Sequence, residues 1–196
     1  MMVMGGVSRE VSADSERAFR TGRSGGAGRS GRLVIFDAGE GEKEAFAEGF
    51  GPCDVLFSAT PLVRTCTGCF GCWTRTPGAC VLRDRCFEVP SLMARAEELV
   101  LVSPVAHGGY SRNVKAVLER SIGYLLPFFR MADGEMHHAL RYPGALRLVA
   151  HFYGPCSAAD EDLARRLVAA NAENLGASAC AAFFHEDARE AKEALV

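Results

Sequence analysis

Five short apolar runs separated by helical patterns constrain this chain more than any other feature. Leu33-Val34-Ile35-Phe36 stops at Asp37-Ala38-Gly39. Val55-Leu56-Phe57 and Leu99-Val100-Leu101-Val102-Ser103 follow, and Leu146 to Tyr153 and Ala179 to Phe184 complete the series. Continuous apolar character, as opposed to alternation, marks strands covered on both faces. Between the runs the sequence predicts a short helix near Lys43 to Glu48 and another near Phe87 to Ala96. Ser111 reads as the N-cap of a helix with Val114, Val117, Leu118 and Ile122 on one stripe and Lys115 and Arg120 off it. A long amphipathic helix is expected over Ala158 to Leu175 and a last one over Ala188 to Leu195, with an irregular stretch from Pro127 to Gly144. Strands alternating with helices give a parallel α/β sheet. Ligands of such sheets sit at the carboxyl ends of the strands. The loops after Phe36, Phe57, Ser103 and Tyr153 are therefore expected to share one rim with the cysteine-rich segment.

Composition narrows the function classes. The 196 residues suit one domain, expected over 32–196, preceded by a Gly/Ser/Arg-rich tail over 1–31 that holds seven glycines and five arginines. A net charge of -2 offers no field for nucleic acid, and no apolar run is long enough for a membrane span or a signal peptide. The chain is thus expected in a reducing cytoplasm, where its eight cysteines act as thiols or metal ligands and not as structural disulfides.

Five of those cysteines fall between Cys66 and Cys86, and the first four, Cys66, Cys69, Cys72 and Cys80, read C-x2-C-x2-C-x7-C. Three sulfurs on one tight loop, with a fourth returned by Pro77-Gly78, suit a cubane iron-sulfur cluster or a tetrahedral zinc. The bland alternative is a thiol-rich loop that packs without chemistry, and Phe70 and Trp73 bracket the sulfurs as shields or as core. Between aromatic neighbours, Glu135, His137, His138, Arg141 and Tyr142 have the composition of a substrate pocket or of a buried hydrogen-bond network. His138 is the candidate for proton transfer. Adjacent histidines point apart on most backbones, which weighs against both ligating one metal. Glu119-Arg120 reads as a solvated helix end.

Cys66-Thr67-Gly68-Cys69-Phe70-Gly71-Cys72-Trp73, then Pro77-Gly78-Ala79-Cys80-Val81 and Asp84, then Ser103-Pro104 with Gly108-Gly109 and Ser111, then Lys115 to Arg120, together resemble the flavodoxin-like NAD(P)H-dependent FMN oxidoreductases. Within that family they resemble the iron-sulfur flavoproteins. The resemblance runs from about Leu33 to the C-terminus. It implies a flavodoxin-like fold, a five-stranded parallel sheet of order 2-1-3-4-5 with helices on both faces. It also implies FMN against the loop Ser103, Pro104, Val105, Ala106, His107, Gly108, Gly109 and Ser111, and a 4Fe-4S cluster on Cys66, Cys69, Cys72 and Cys80. NAD(P)H would be the reductant, a small molecule or protein the electron acceptor, and a homo-oligomer the assembly. Two positions depart from the family pattern. The first loop reads Asp37-Ala38-Gly39-Glu40-Gly41-Glu42, three carboxylates and no hydroxyl where a phosphate needs donors, and Ala106 stands where an aromatic often lies beside the flavin. The competing expectation is a flavin-free scaffold of the same shape that binds zinc or a cluster through the same cysteines as a binding or sensing module.

Overall fold

The computed structural model describes residues 31–196 except 40, 133, 143 and 145, so the expected tail, Gly31 apart, lies outside the described residues. The strands β1 (Arg32–Phe36), β2 (Val55–Ser58), β3 (Glu98–Pro104), β6 (Arg147–Tyr153) and β7 (Ala179–His185) form one parallel sheet in the order β2-β1-β3-β6-β7. Numbered within the sheet, this is the flavodoxin-like order 2-1-3-4-5, as the family resemblance implies. β3 lies at the centre because Leu99 to Val102 can be buried on both sides. Leu99 and Leu101 face one cluster and Val100 and Val102 the other. Each such side chain contributes about 1.5–3 kcal/mol on burial.

Helices cover both faces. On one lie α3 (Val89–Arg95), α4 (Arg112–Arg120) and α5 (Ala158–Leu175); on the other lie α1 (Lys43–Ala47) and α6 (Ala188–Glu193). The first crossover is short because α1 has five residues and buries chiefly Phe46, stacked 4.6 Å from Phe36. Ser111 caps α4 by accepting from the Val114 N–H, and Ser157 and Asp160 form a reciprocal capping box on α5.

The stretch expected to be irregular from Pro127 to Gly144 is instead mostly ordered. β4 (Leu125–Ala132) and β5 (Glu135–Leu140) pair antiparallel as a separate hairpin. Gly134 turns it at φ +85°, and the hairpin exposes Phe128, Phe129, Met131 and Met136, so its strands lack the buried runs of the main sheet. Its far end packs on α5: a Cβ on Gly176, which ends that helix at φ +65°, would fall 2.5 Å from Leu140. A four-residue helical turn, α2 (Gly71–Thr74), also lies inside the cysteine loop.

Candidate functional site

The four expected rim loops do converge, and one residue joins them through its carboxyl group and its carbonyl. Asp37, just past β1, is buried; its Oδ1 accepts from Thr60 Oγ1 at 2.6 Å and its Oδ2 from Ser111 Oγ at 2.7 Å. Tyr153, ending β6, donates its hydroxyl to the Asp37 carbonyl at 2.6 Å, and Asn113 donates to Thr60 Oγ1 at 3.1 Å. Burial first, then the charges of Asp37 and Glu42, push the Tyr153 hydroxyl up to about 12.

The loop after β3 is similarly committed. Ser111 N–H donates to Ser103 Oγ at 2.7 Å, and Ser103 Oγ donates to the Pro104 carbonyl. Val105 N–H is taken by the Tyr153 carbonyl, while Ala106 and Gly109 exchange both backbone bonds at 3.0 Å. His107 and Gly108, both at positive φ, make the turn between them. The glycines admit α5: a Cβ on Gly108 would lie 2.7 Å from Leu163 and one on Gly109 3.0 Å from Leu167.

These contacts decide whether the residues fit FMN. A phosphate at the first loop would need the Thr60 and Ser111 hydroxyls, and both already donate to Asp37. Two unit anions about 4 Å apart repel on the order of 4 kcal/mol at an effective dielectric of about 20. The helix behind the loop is five residues long and opens on Glu42 and Glu44, with Lys43 drawn to Glu44 at 3.4 Å. The residues present at the first loop do not fit an FMN phosphate.

The cysteine loop is built differently. Cys66 and Cys69 are exposed, Cys72 and Cys80 buried, and all eight cysteines of the chain are unbridged. Burial raises the Cys72 thiol first, followed by the charges of Cys80, Cys66 and Cys69, which puts the four sulfurs in one electrostatic neighbourhood. Among the described residues no three cysteine sulfurs gather within 4.8 Å. Zinc, with Zn–S of about 2.3 Å, needs its sulfurs about 3.8 Å apart. A cubane binds each cysteine at a different iron and spreads them wider. Cys69 is held below its usual value by the Gly71 N–H, then by Thr67, while burial pushes Cys86 up to about 12.

Arg120 anchors this loop, which corrects its reading as a solvated helix end: the residue is 1% exposed. Its Nε donates to Cys80 Sγ at 3.0 Å, and its other nitrogens donate to both Asp84 carboxyl oxygens and to the Arg64 and Leu82 carbonyls. Lying off the apolar stripe of α4 turns it toward the loop, not toward water. Burial opposes its charge, but the hydrogen bonds to Asp84 and Cys80 outweigh that and raise it, and Asp84 is held well below the usual carboxylate range by Arg120.

His138 and His137 face opposite sides of β5. His138 lies 5.0 Å from Trp73 and 5.1 Å from Phe129 by ring centroid, and its Nδ1 is buried without a partner. It lines a cavity of about 560 Å³ beneath the sheet, between α4, α5 and the hairpin, with Met93, Leu101, Tyr110, Leu148 and Asn171. His137 turns to α5. Arg141 donates to the Gly123 carbonyl, and Tyr142 packs near Tyr124, so the expected five-residue polar cluster is divided. Sequence reasoning missed the Asp37 hub and the Arg120 clasp; a lone polar residue at each strand or helix end was the available signal.

No protein-family model matches the sequence, and no curated protein matches it. Solved structures share the fold. An NAD(P)H:quinone oxidoreductase from Methanothermobacter marburgensis superposes with a TM-score of 0.51 at 12% identity over 85% of this chain and 95% of that one. An FMN-dependent NADH-azoreductase from Bacillus anthracis, in complex with FMN, gives 0.46 at 11% identity over 84% and 93%. A flavodoxin, WrbA-like protein from Agrobacterium tumefaciens gives 0.44 at 12% identity over 83% and 90%. The first likeness bears on the fold, which is flavodoxin-like. Among the described residues no helix is long and apolar enough to cross a membrane.

Proposed function

We propose that this chain is an oxidoreductase of flavodoxin-like architecture whose electron-carrying centre is the cysteine loop, with Cys66, Cys69, Cys72 and Cys80 holding a 4Fe-4S cluster. The observation that carries this reading is the buried Arg120, which holds Cys80 Sγ in a loop where Cys80, Cys66 and Cys69 all act on the Cys72 thiol. A cluster there supplies one-electron transfer, and a donor to a cysteine sulfur tunes its potential. Trp73 and Phe70 stack at 5.5 Å within the loop, with Phe70 exposed. A small acceptor fits the cavity beneath the hairpin, where His138 Nδ1 awaits a hydrogen-bond partner. The homo-oligomer or protein acceptor contact falls on the hairpin, whose Phe128, Phe129, Met131 and Met136 are 64–69% exposed.

Anaerobic purification with iron and acid-labile sulfide analysis tests this. Four of each per chain, with a visible band bleached by dithionite, is the expected result by the composition of the cluster. Protein that retains neither after reconstitution overturns it. A second reading, FMN at the loop 103–111 with NAD(P)H as reductant, draws on the fold shared with the Methanothermobacter marburgensis enzyme. Because Asp37 occupies the donors a phosphate needs, no step is derived through FMN. Stoichiometric uptake of added FMN would favour this second reading.

A further inference from the structure

We propose that Glu135, His137 and Glu173 form a divalent-cation site of the zinc class, separate from the cysteines, that ties β5 to the last turn of α5. One ligand atom from each lies within 4.8 Å of the others. His137 is 92% buried by its 8% exposure, and its Nδ1 lies 3.0 Å from Asn174 Oδ1. An amide oxygen only accepts, so Nδ1 carries the proton and the lone pair is on Nε2. That Nε2 and Glu173 Oε1 are both buried without a hydrogen-bond partner.

The distances define what fits between them. His137 Nε2 lies 3.6 Å from Glu135 Oε2 and 3.4 Å from Glu173 Oε1. Both exceed the roughly 2.7–2.9 Å of a charge-assisted hydrogen bond. They match the edge of a coordination tetrahedron, about 3.3–3.6 Å, when Zn–N and Zn–O bonds are about 2.0–2.2 Å. Two carboxylates balance a dication, and an imidazole with carboxylates suits zinc or its neighbours in the first transition row. Asn174 is the outer group that fixes the ring, as metal-bound histidines require. Glu135 is 73% exposed at its side chain, so the fourth position opens to water. Arg130, which donates to the Glu173 carbonyl at 2.7 Å, and the packing of Leu140 on Gly176 hold the two elements at this spacing.

The test is a cobalt(II) titration of metal-free, full-length protein, because cobalt reports its ligands. Nitrogen and oxygen ligands give weak visible d–d bands, whereas thiolates add intense charge transfer in the near ultraviolet. One equivalent with d–d bands free of charge transfer is expected, over and above any cobalt taken by the cysteines, and zinc should displace it. His137→Gln and Glu173→Gln, each checked for folding by circular dichroism, should lose this equivalent, and Asn174→Ala should weaken it about 10–100-fold. Cobalt bound with unchanged stoichiometry and affinity in a folded His137→Gln or Glu173→Gln protein overturns the proposal. So does a spectrum made up of thiolate charge transfer alone.

Discussion

Two loops are each organised by one buried residue, and they end in opposite states. Asp37 gathers three loops and spends the hydroxyls of Thr60 and Ser111 on itself, so the place where an anion would bind is filled from within. Arg120 gathers the cysteine loop through two carbonyls, Asp84 and one sulfur, and leaves Cys66 and Cys69 facing outward. A loop whose donors and acceptors are all consumed is architecture; a loop with unsatisfied ligands is where chemistry remains. On the proposed reading, the loop that keeps its chemistry is the one that carries the sulfurs.

The largest effect should come from the clasp. Arg120→Ala leaves Asp84, Cys80 and two carbonyls without their donor and should lower stability by about 3–5 kcal/mol, measured by denaturant unfolding. A loss under about 1 kcal/mol would mean that the loop is held by other contacts. Asp37→Ser should cost less, about 1–3 kcal/mol for unpaired hydroxyls. In the same variant FMN uptake should improve by about tenfold or more, the equivalent of 1.4 kcal/mol. No gain would show that the carboxyl group is not what bars a phosphate and would blur the contrast between the loops.

Acid sharpens the comparison further. The Asp84 carboxyl titrates below its unfolded value because Arg120 stabilises the charged form. Its contribution is therefore complete above about pH 3.9 and lost as the pH falls through the lower folded value. Wild type should lose stability in that interval more steeply than Asp84→Asn, and parallel curves would argue against the pairing. The smallest effect is a difference of rates. Near neutral pH, iodoacetamide followed by peptide mass analysis should modify the exposed Cys69 early and leave Cys86, raised to about 12 by burial, untouched until the protein unfolds.

The parallel sheet was legible because Leu33 to Phe36 and Leu99 to Val102 carry their burial in consecutive residues, and the Ser111 cap because it is local. The hairpin was not. Residues 125–132 pair with 135–140 in a ribbon exposed on one side, and Pro127 with two phenylalanines hides the period-two pattern. Arg120 and Asp37 escaped for another reason. Their partners lie 36 to 56 and 23 to 116 residues away, and a helical stripe or strand end carries no trace of them. The cysteines announced themselves by spacing, whereas Glu173 and Asn174, on an ordinary amphipathic helix, meet His137 only through tertiary packing.

Trp73 is the chain's single tryptophan. It follows Cys72 directly, donates its indole N–H to the Leu125 carbonyl at 3.0 Å and rests between the rings of Phe70 and His138. The protein thus carries its one tryptophan fluorophore at the junction of the sulfur loop, the hairpin and the cavity. Its emission reports on all three without a label: quenching would follow a coloured centre on the neighbouring sulfur, and a red shift would follow the hairpin lifting away.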